Sequence, residues 1–252
     1  MKQFIKRILI KVVDNLAQSK AFVFPPTFIW KWKLSYLLEY YELETTRFFK
    51  KTIKEGMVVI DIGANLGYFT RLFSDLVGPS GKVYAFEPDE DNWEYLTKNT
   101  ATRANVFLYK QAISNVDDTI DFYHVTGMTG THTTLPVVDS EKRNVLAKKL
   151  DSFLATNGIE HVDVVKIDVE GAEEFVFEGM AQTFSQNPSP IVVFEYTPDT
   201  SKALFEKLNK AHKLYALSAN GARKSIEKLS YRKGKRDYAN IVLDDNNNLH
   251  TS

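Results

Sequence analysis

The sequence predicts an α/β chain built on a doubly wound, mostly parallel sheet, and three observations carry that expectation. Short apolar runs at 57–60, 83–86, 106–109 and 191–194, with a further one ahead of Asp168, are the length of buried strands. Helical patterns separate them, and strands that alternate with helices pair in parallel with helices on both faces. The first run ends in Asp61 and breaks into a tight turn, Gly63-Ala64-Asn65-Leu66-Gly67, before a helical pattern of Phe69, Leu72, Phe73 and Leu76 takes over. In such sheets ligands sit at the carboxyl ends of the strands, beside the point where strand order reverses.

Composition narrows the possibilities. With 252 residues and 44% hydrophobic content the chain can bury a full core. The organisation expected is a helical extension over 1–50, a core domain over 51–244 and a disordered tail over 245–252. There are no cysteines, which excludes disulfides, thiolate zinc sites and cysteine nucleophiles. The net charge is zero, but basic residues gather before residue 55 and again over 202–236, whereas acids dominate 61–121.

Taken in order, residues 1–20 read as a basic amphipathic helix, with Phe4, Ile5, Ile8, Leu9, Val12, Val13 and Leu16 at helical spacing and Lys2, Lys6, Arg7 and Lys11 between them. The charges interrupt any signal-peptide core and the apolar run is too short to span a bilayer, so the expectation is a cytoplasmic protein. Three roles stand open for this helix: packing on the domain, a dimer contact, or a membrane-surface anchor. Residues 28–49 form an aromatic-rich helical stretch containing Trp30, Trp32, Tyr36, Tyr40 and Tyr41. It covers one end of the core, or walls a substrate entrance with Glu42 and Glu44 near the rim.

The glycine turn aims backbone N–H groups and a helix N-terminus at whatever lies above the strand. Gly63 and Gly67 allow close approach, and Asn65 tolerates positive φ. Twenty positions after Gly67, Glu87 closes the second strand, where an acid accepts hydrogen bonds from two ribose hydroxyls. Together they indicate an adenosine-type ligand, bordered by Tyr68 and Phe69 at the helix start and Pro88 after the acid. Tyr68 occupies the position where a dinucleotide fingerprint needs its third glycine. The order acid, x, Gly, x, Asn, x, Gly resembles the first motif of class I S-adenosylmethionine-dependent methyltransferases, and a nicotinamide cofactor is the runner-up.

After the third strand, Gln111 and Ala112 are placed to border the adenine, against a simple strand exit. Residues 119–138 depart from the alternation, with β-like pieces at 120–123 and 133–138 around a Gly- and Thr-rich loop holding His132, a candidate lid and base. The second constellation is VDVVKIDVEGAE over 162–173, which brings Asp168 to the sheet edge, with Glu170 and Glu173 at the following turn; Glu173 also suits a helix first turn. The strand at 191–194 ends in Glu195, so Asp168, Glu170 and Glu195 converge if the two strands are neighbours. The remainder fits a helix over 201–211, a hairpin turning at Asn220-Gly221 between 214–217 and 226–229, and a last strand at 239–243.

Taken together, VVIDIGANLGYFT, YAFEPDEDNWEYLTKN, LDSFL and VVKIDVEGAEEFVFEGM followed by PIVVFEY resemble the FkbM family of methyltransferases over roughly residues 40–197. The resemblance implies a Rossmann-like, mostly parallel seven-stranded sheet with an antiparallel terminal hairpin strand. It implies S-adenosylmethionine as cofactor and transfer chiefly to hydroxyl oxygens of natural products or sugars. Asp61, Gly63, Asn65 and Gly67 carry over as the methionine-side loop, Glu87 as the ribose acid and Asp168 as the motif-four carboxylate. The acceptor is then a small molecule or glycan.

For the chemistry, Asp168, Glu170 or Glu195 is the expected base, with His132 an outside candidate. A divalent metal held by the carboxylates is an alternative; no metal ligands are assigned. Methyl transfer through a cysteine adduct is excluded. Transfer to an exocyclic base amine is disfavoured, since Val-Glu-Gly follows Asp168 where those enzymes place Pro-Pro-aromatic. RNA binding through 202–236, an oxidoreductase, and a protein that binds the cofactor without turnover are the competing functions.

Overall fold

The computed structural model describes residues 2–125, 133–136, 138, 140–185, 188–196, 198–226 and 239–245. Three helices open the chain, α1 (Lys2–Ser19), α2 (Trp30–Leu37) and α3 (Leu43–Thr52). There follow β1 (Val58–Ile62), α4 (Tyr68–Val77), β2 (Lys82–Phe86), α5 (Glu90–Thr100), β3 (Val106–Tyr109), β4 (Ala112–Ile113), β5 (Asp118–His124) and β6 (Glu141–Lys148). Then come α6 (Leu150–Thr156), β7 (Val164–Ile167), α7 (Glu173–Gly179), α8 (Ala181–Phe184), β8 (Ile191–Tyr196), α9 (Pro198–Ala211), β9 (Leu214–Leu217), β10 (Arg223–Ser225) and β11 (Ala239–Leu243).

The main sheet runs β10-β9-β11-β8-β7-β1-β2-β3. β3, β2, β1, β7 and β8 are parallel, and β11, β9 and β10 add antiparallel edges. The short β10 makes eight strands rather than seven. From β1 the chain first builds outward through β2 and β3, then returns to place β7 on the other side of β1, so order reverses between β1 and β7. Because β1 is buried on both faces, its side chains split between two cores. Val59 packs with Phe49, Phe69 and Phe73 on one face, and Ile60 and Ile62 pack with Phe86, Phe153 and Phe194 on the other.

Three expectations about local structure need correction. The aromatic stretch at 28–49 is two helices, broken where Glu39 and Glu42 take left-handed φ of 58° and 40°. In a continuous helix Tyr36 and Tyr41, five residues apart, would lie about 140° apart around the axis. The break brings both onto Tyr68, with ring centroids 4.9 and 5.3 Å away. Second, the described residues of 133–138 contribute an isolated bridge, Tyr123 to Thr133, and the strand that pairs with β5 is the charged EKRNVLAK of β6. Its alternation was hidden because only Ala147 of the strand is buried. These strands form a second sheet, β4-β6-β5, beside the first. Third, the hairpin at Asn220-Gly221 closes sooner than expected. Ser218 N–H donates to the Ala222 carbonyl (2.9 Å), so Arg223 already pairs with Leu217 and the second arm is β10.

One buried side chain ties the segment after α1 to two parts of the core. The buried Asn99 on α5 accepts from Val23 N–H (2.6 Å) and donates to the carbonyls of Val23 (3.0 Å) and Leu66 (2.8 Å). A carboxamide is needed because one side chain must both accept and donate. Asn99→Ala strands these backbone groups, and we expect a loss of about 3 kcal/mol and a Tm lower by roughly 6–12 °C. Scanning calorimetry checks this; an unchanged Tm would refute the tie.

Candidate active site

The site is built where β1 and β7 end side by side. Gly63, Asn65 and Gly67 have φ of 76°, 51° and 88°, so the turn after β1 is left-handed at three positions. Gly63 is demanded by contact as well as by φ, since a Cβ there would lie 1.8 Å from the Asp168 carbonyl oxygen. At Gly67 a Cβ would meet only the tip of Leu96, at 2.9 Å. Glu87, 4% exposed, accepts from the backbone N–H of Asn65 (2.7 Å) and of Asp89 (2.9 Å). One carboxylate thus fixes the glycine turn to the end of β2. Burial, which outweighs those two hydrogen bonds, pushes its carboxyl up to about 7.

Beneath the turn lies a buried ion network. Asp61, fully buried, accepts from the Thr70 hydroxyl (2.6 Å) and lies 3.4 Å from the Lys166 ammonium. Lys166 donates to the Gly63 carbonyl (3.0 Å) and lies 3.3 Å from Asp168. Burial alone would lower the Lys166 pKa, but Asp168, Asp61 and Glu42 outweigh it and hold the ammonium above its ordinary value.

Over this floor opens a cavity of about 360 Å³. Gly63, Asn65, Tyr68, Phe69, Glu87, Pro88, Gln111, Ala112, Asp168, Glu170 and Glu195 all line it. Two expected contacts are relocated: Asp61 and Gly67 are absent from the lining, Asp61 because its carboxylate turns inward to Thr70 and Lys166. His132 lies outside the described residues. Sequence reasoning gave no role to Lys166, Asn92, Thr133 or Thr134, which also line the cavity. The lysine's position within VVKID, on a strand buried on both faces, was the available signal for it.

Part of the wall comes from the segment around α2, where Phe28, Trp32, Tyr36, Tyr41 and Glu42 line the cavity. Glu44 is exposed and lies outside the lining. Because β7 and β8 are neighbours, Asp168, Glu170 and Glu195 do converge, each offering a carboxylate oxygen within 4.8 Å of the others. Glu170 is held there by a left-handed φ of 53°. Burial, then Asp168, then a third carboxylate push Glu170 up to about 8 and Glu195 to about 9. Glu42, which accepts from Asn240 (3.0 Å), rises to about 7 through burial and Asp168.

The Methyltransferase FkbM domain matches residues 61–224, most of the chain. The chain belongs to the FkbM methyltransferase family. Two proteins to which the chain is similar are the 2-O-methyltransferase NoeI of Sinorhizobium fredii, 27% identical over 169 residues covering 61% of this chain and 67% of NoeI, and the hexuronic acid methyltransferase AglP of Haloferax volcanii, 27% identical over 141 residues covering 55% and 56%. Among solved structures, a candidate rRNA-methylase from Clostridium thermocellum superposes with a TM-score of 0.50 at 13% identity, covering 80% of this chain and 93% of its own, a likeness of fold alone.

As an FkbM enzyme the chain uses S-adenosylmethionine, and the cavity fits that cofactor. Asn92 Oδ1, Gln111 Nε2 and Thr134 Oγ1 are buried without a partner on residues that line it, and unmet polar groups aimed into a cavity are what a polar nucleoside satisfies.

Two outcomes follow from this geometry. Gly63→Ala is expected to cost at least about 2 kcal/mol more than Gly67→Ala in urea unfolding, because both pay left-handed strain but only Gly63 abuts backbone. Equal losses would refute the close approach. Second, Glu42, Glu87, Glu170 and Glu195 keep their protons above the ordinary value of 4.5 when folded, up to about 7, 7, 8 and 9. The folded chain therefore binds more protons than the unfolded one in that window, so stability falls as pH rises from about 5 to 9. Melting curves across that range check the sign, and Glu195→Gln should flatten the limb above pH 7.

Proposed function

We propose that this FkbM enzyme methylates a hydroxyl oxygen of a sugar or related natural product, with the Asp168, Glu170 and Glu195 cluster taking the hydroxyl proton. The observation that carries the reading is the convergence of those three carboxylates within 4.8 Å in a cavity that Trp32, Tyr36 and Tyr41 also line. Carboxylates accept hydrogen bonds from sugar hydroxyls, and the faces of Trp32, Tyr36 and Tyr41 suit the C–H faces of a pyranose. The relatives named for 2-O-methylation and for a hexuronic acid support the same acceptor class.

Residues at the two ends of the cavity divide the work. Glu87, Asn65 and Gly63 bind the nucleoside and methionine ends, with Asn92 and Gln111 offering their free polar atoms to the base. When bound, the cofactor supplies an electrophilic methyl group on a sulfonium. The carboxylates orient the acceptor oxygen and accept its proton as the new O–C bond forms, then return that proton to water. Orientation contributes up to about 7–11 kcal/mol and a placed base roughly a hundred- to ten-thousand-fold. Residues 51–244 serve as the catalytic core and residues 1–50 as its cap.

The test is turnover of methyl-labelled cofactor with neutral sugars, amino sugars and uronic acids. Glu195→Gln or Glu170→Gln should lower kcat by about a hundredfold or more while leaving S-adenosylhomocysteine affinity within a few-fold. In the wild type, kcat should rise with pH as the cluster, not one residue, loses protons between about 7 and 9. Wild-type kcat in both variants would remove the carboxylates as base.

The same spacing favours one second reading, a divalent cation held by the trio that acidifies the hydroxyl. Loss of turnover in chelator, restored by Mg²⁺ or Mn²⁺, would select it.

A further inference from the structure

Fifteen large apolar side chains are strongly exposed among the described residues, and ten of them fall within residues 4–40: Phe4, Ile5, Ile8, Leu9 and Val12 on α1, and Val23, Ile29, Trp32, Leu38 and Tyr40 after it. On α1 the exposed five recur at i, i+4 and i+8 and form a stripe of their own. The helix packs on the core through a different face, centred on Val13 and Ala17. Exposure is substantial, at 68% for Phe4 and 57% for Val12. Scattered exposed apolar residues are ordinary, but a contiguous stripe marks a surface that meets something.

Charge identifies the occupant. Residues 1–40 carry seven basic residues against two acidic ones, a net charge of +5 in a chain that is neutral overall. Lys6, Arg7 and Lys11 are exposed beside the stripe, and Asp14, the one acid of the helix, is already paired with Lys33 at 3.0 Å. A second copy docked on this face by two-fold symmetry would bring the same cations against themselves. An anionic lipid surface neutralises them and takes up the apolar stripe. No helix among the described residues is long and apolar enough to cross a membrane, so the helix lies in the interface plane.

We propose that α1 seats this protein on an anionic membrane surface, with the mouth of the cavity at the bilayer. The orientation follows because α2 packs on α1, and Ile29 and Trp32, members of the exposed set at 58% and 46%, also line the cavity. If the acceptor reading above holds, the hydroxyl to be methylated sits on a lipid-borne head group. That last step rests on the methyl-transfer reading; the membrane seat does not.

The full chain is sedimented with vesicles of equimolar phosphatidylcholine and phosphatidylglycerol, and with phosphatidylcholine alone. Retention is expected on the anionic vesicles and weakened by 0.5 M salt. Each basic residue near such a surface contributes about fivefold, so Lys6→Glu with Lys11→Glu should weaken binding at least 25-fold. Ile8→Asp with Val12→Asp should abolish it, with the circular dichroism spectrum and S-adenosylhomocysteine affinity unchanged. Orientation is read from tryptophan quenching by brominated phosphatidylglycerol, which Trp32→Phe should largely remove. No retention on anionic vesicles would overturn the seat, as would a concentration-dependent dimer that Ile8→Asp with Val12→Asp disperses. Retention without quenching at Trp32 would overturn the orientation. Calorimetry with S-adenosylhomocysteine in the absence of lipid tests the enzyme reading separately.

Discussion

The ammonium of Lys166 is the interaction on which the site depends. It sits between the carboxylates of Asp61 and Asp168, 3.4 and 3.3 Å away, and donates to the Gly63 carbonyl. Those three partners belong to the end of β1, the glycine turn and the residue after β7, which meet where strand order reverses. The buried Asp61 and the partly exposed Asp168 would repel without a cation between them, and Asn65 is held at a positive φ that a non-glycine residue adopts at a cost. One cation shared among them converts repulsion into cohesion. Removing a partner from such a network typically costs about 3–5 kcal/mol, because the remaining charges are left uncompensated. Asp61 thereby acts on the site indirectly: it anchors Lys166 and Thr70, which hold the turn.

The opening helices complete the cavity through packing rather than charge. Tyr36, Tyr41, Tyr68 and Phe69 form a ladder of tilted and edge-on rings that joins the cap to the first core helix. Burial pushes all three phenols up from their ordinary value, Tyr68 to about 12, and so favours their uncharged form. They therefore add rigid, uncharged surface to a cavity lined by five acids. The same ladder explains the break between α2 and α3, and the break sets Glu42 in a left-handed conformation at the cavity edge.

What could be read in advance follows the range of the interaction responsible. The glycine turn, the parallel alternation and Glu87 were legible because strand, turn and acid are adjacent in sequence and each residue type has a local reason to be there. The convergence of Asp168, Glu170 and Glu195 was legible conditionally, since it needed only β7 and β8 to be neighbours, as they are. The interruption at 38–42 was hidden: its cause is ring packing against Tyr68, some thirty residues away, and no Gly or Pro marks it. β6 was hidden for the opposite reason, since a strand with one buried side chain shows no apolar alternation. Lys166 lay in plain view within the second motif, but its role depends on two carboxylates that only the folded sheet brings to it.

The balance of charge in the cavity ties these elements together. Glu42, Glu87, Asp168, Glu170 and Glu195 line it with Lys166 as the cation among them. Lys166 faces Asp61 and Asp168 directly, and its lowering effect on Glu42 and Glu170 is outweighed by burial and by Asp168. The glutamates stand at about 7 to 9 instead of 4.5, first because burial penalises their charged form and then because other acids lie beside them. Any cation placed among them relieves their mutual repulsion and favours their ionised, proton-accepting form. A sulfonium is such a cation and the thioether left after methyl transfer is not, so under the reading proposed above the chamber complements the charge of the first and not of the second. The raised carboxyls, the buried Lys166 and the exposed basic helix then reflect one division: cations lie on the floor and the outer surface, and the chamber between them is left acidic.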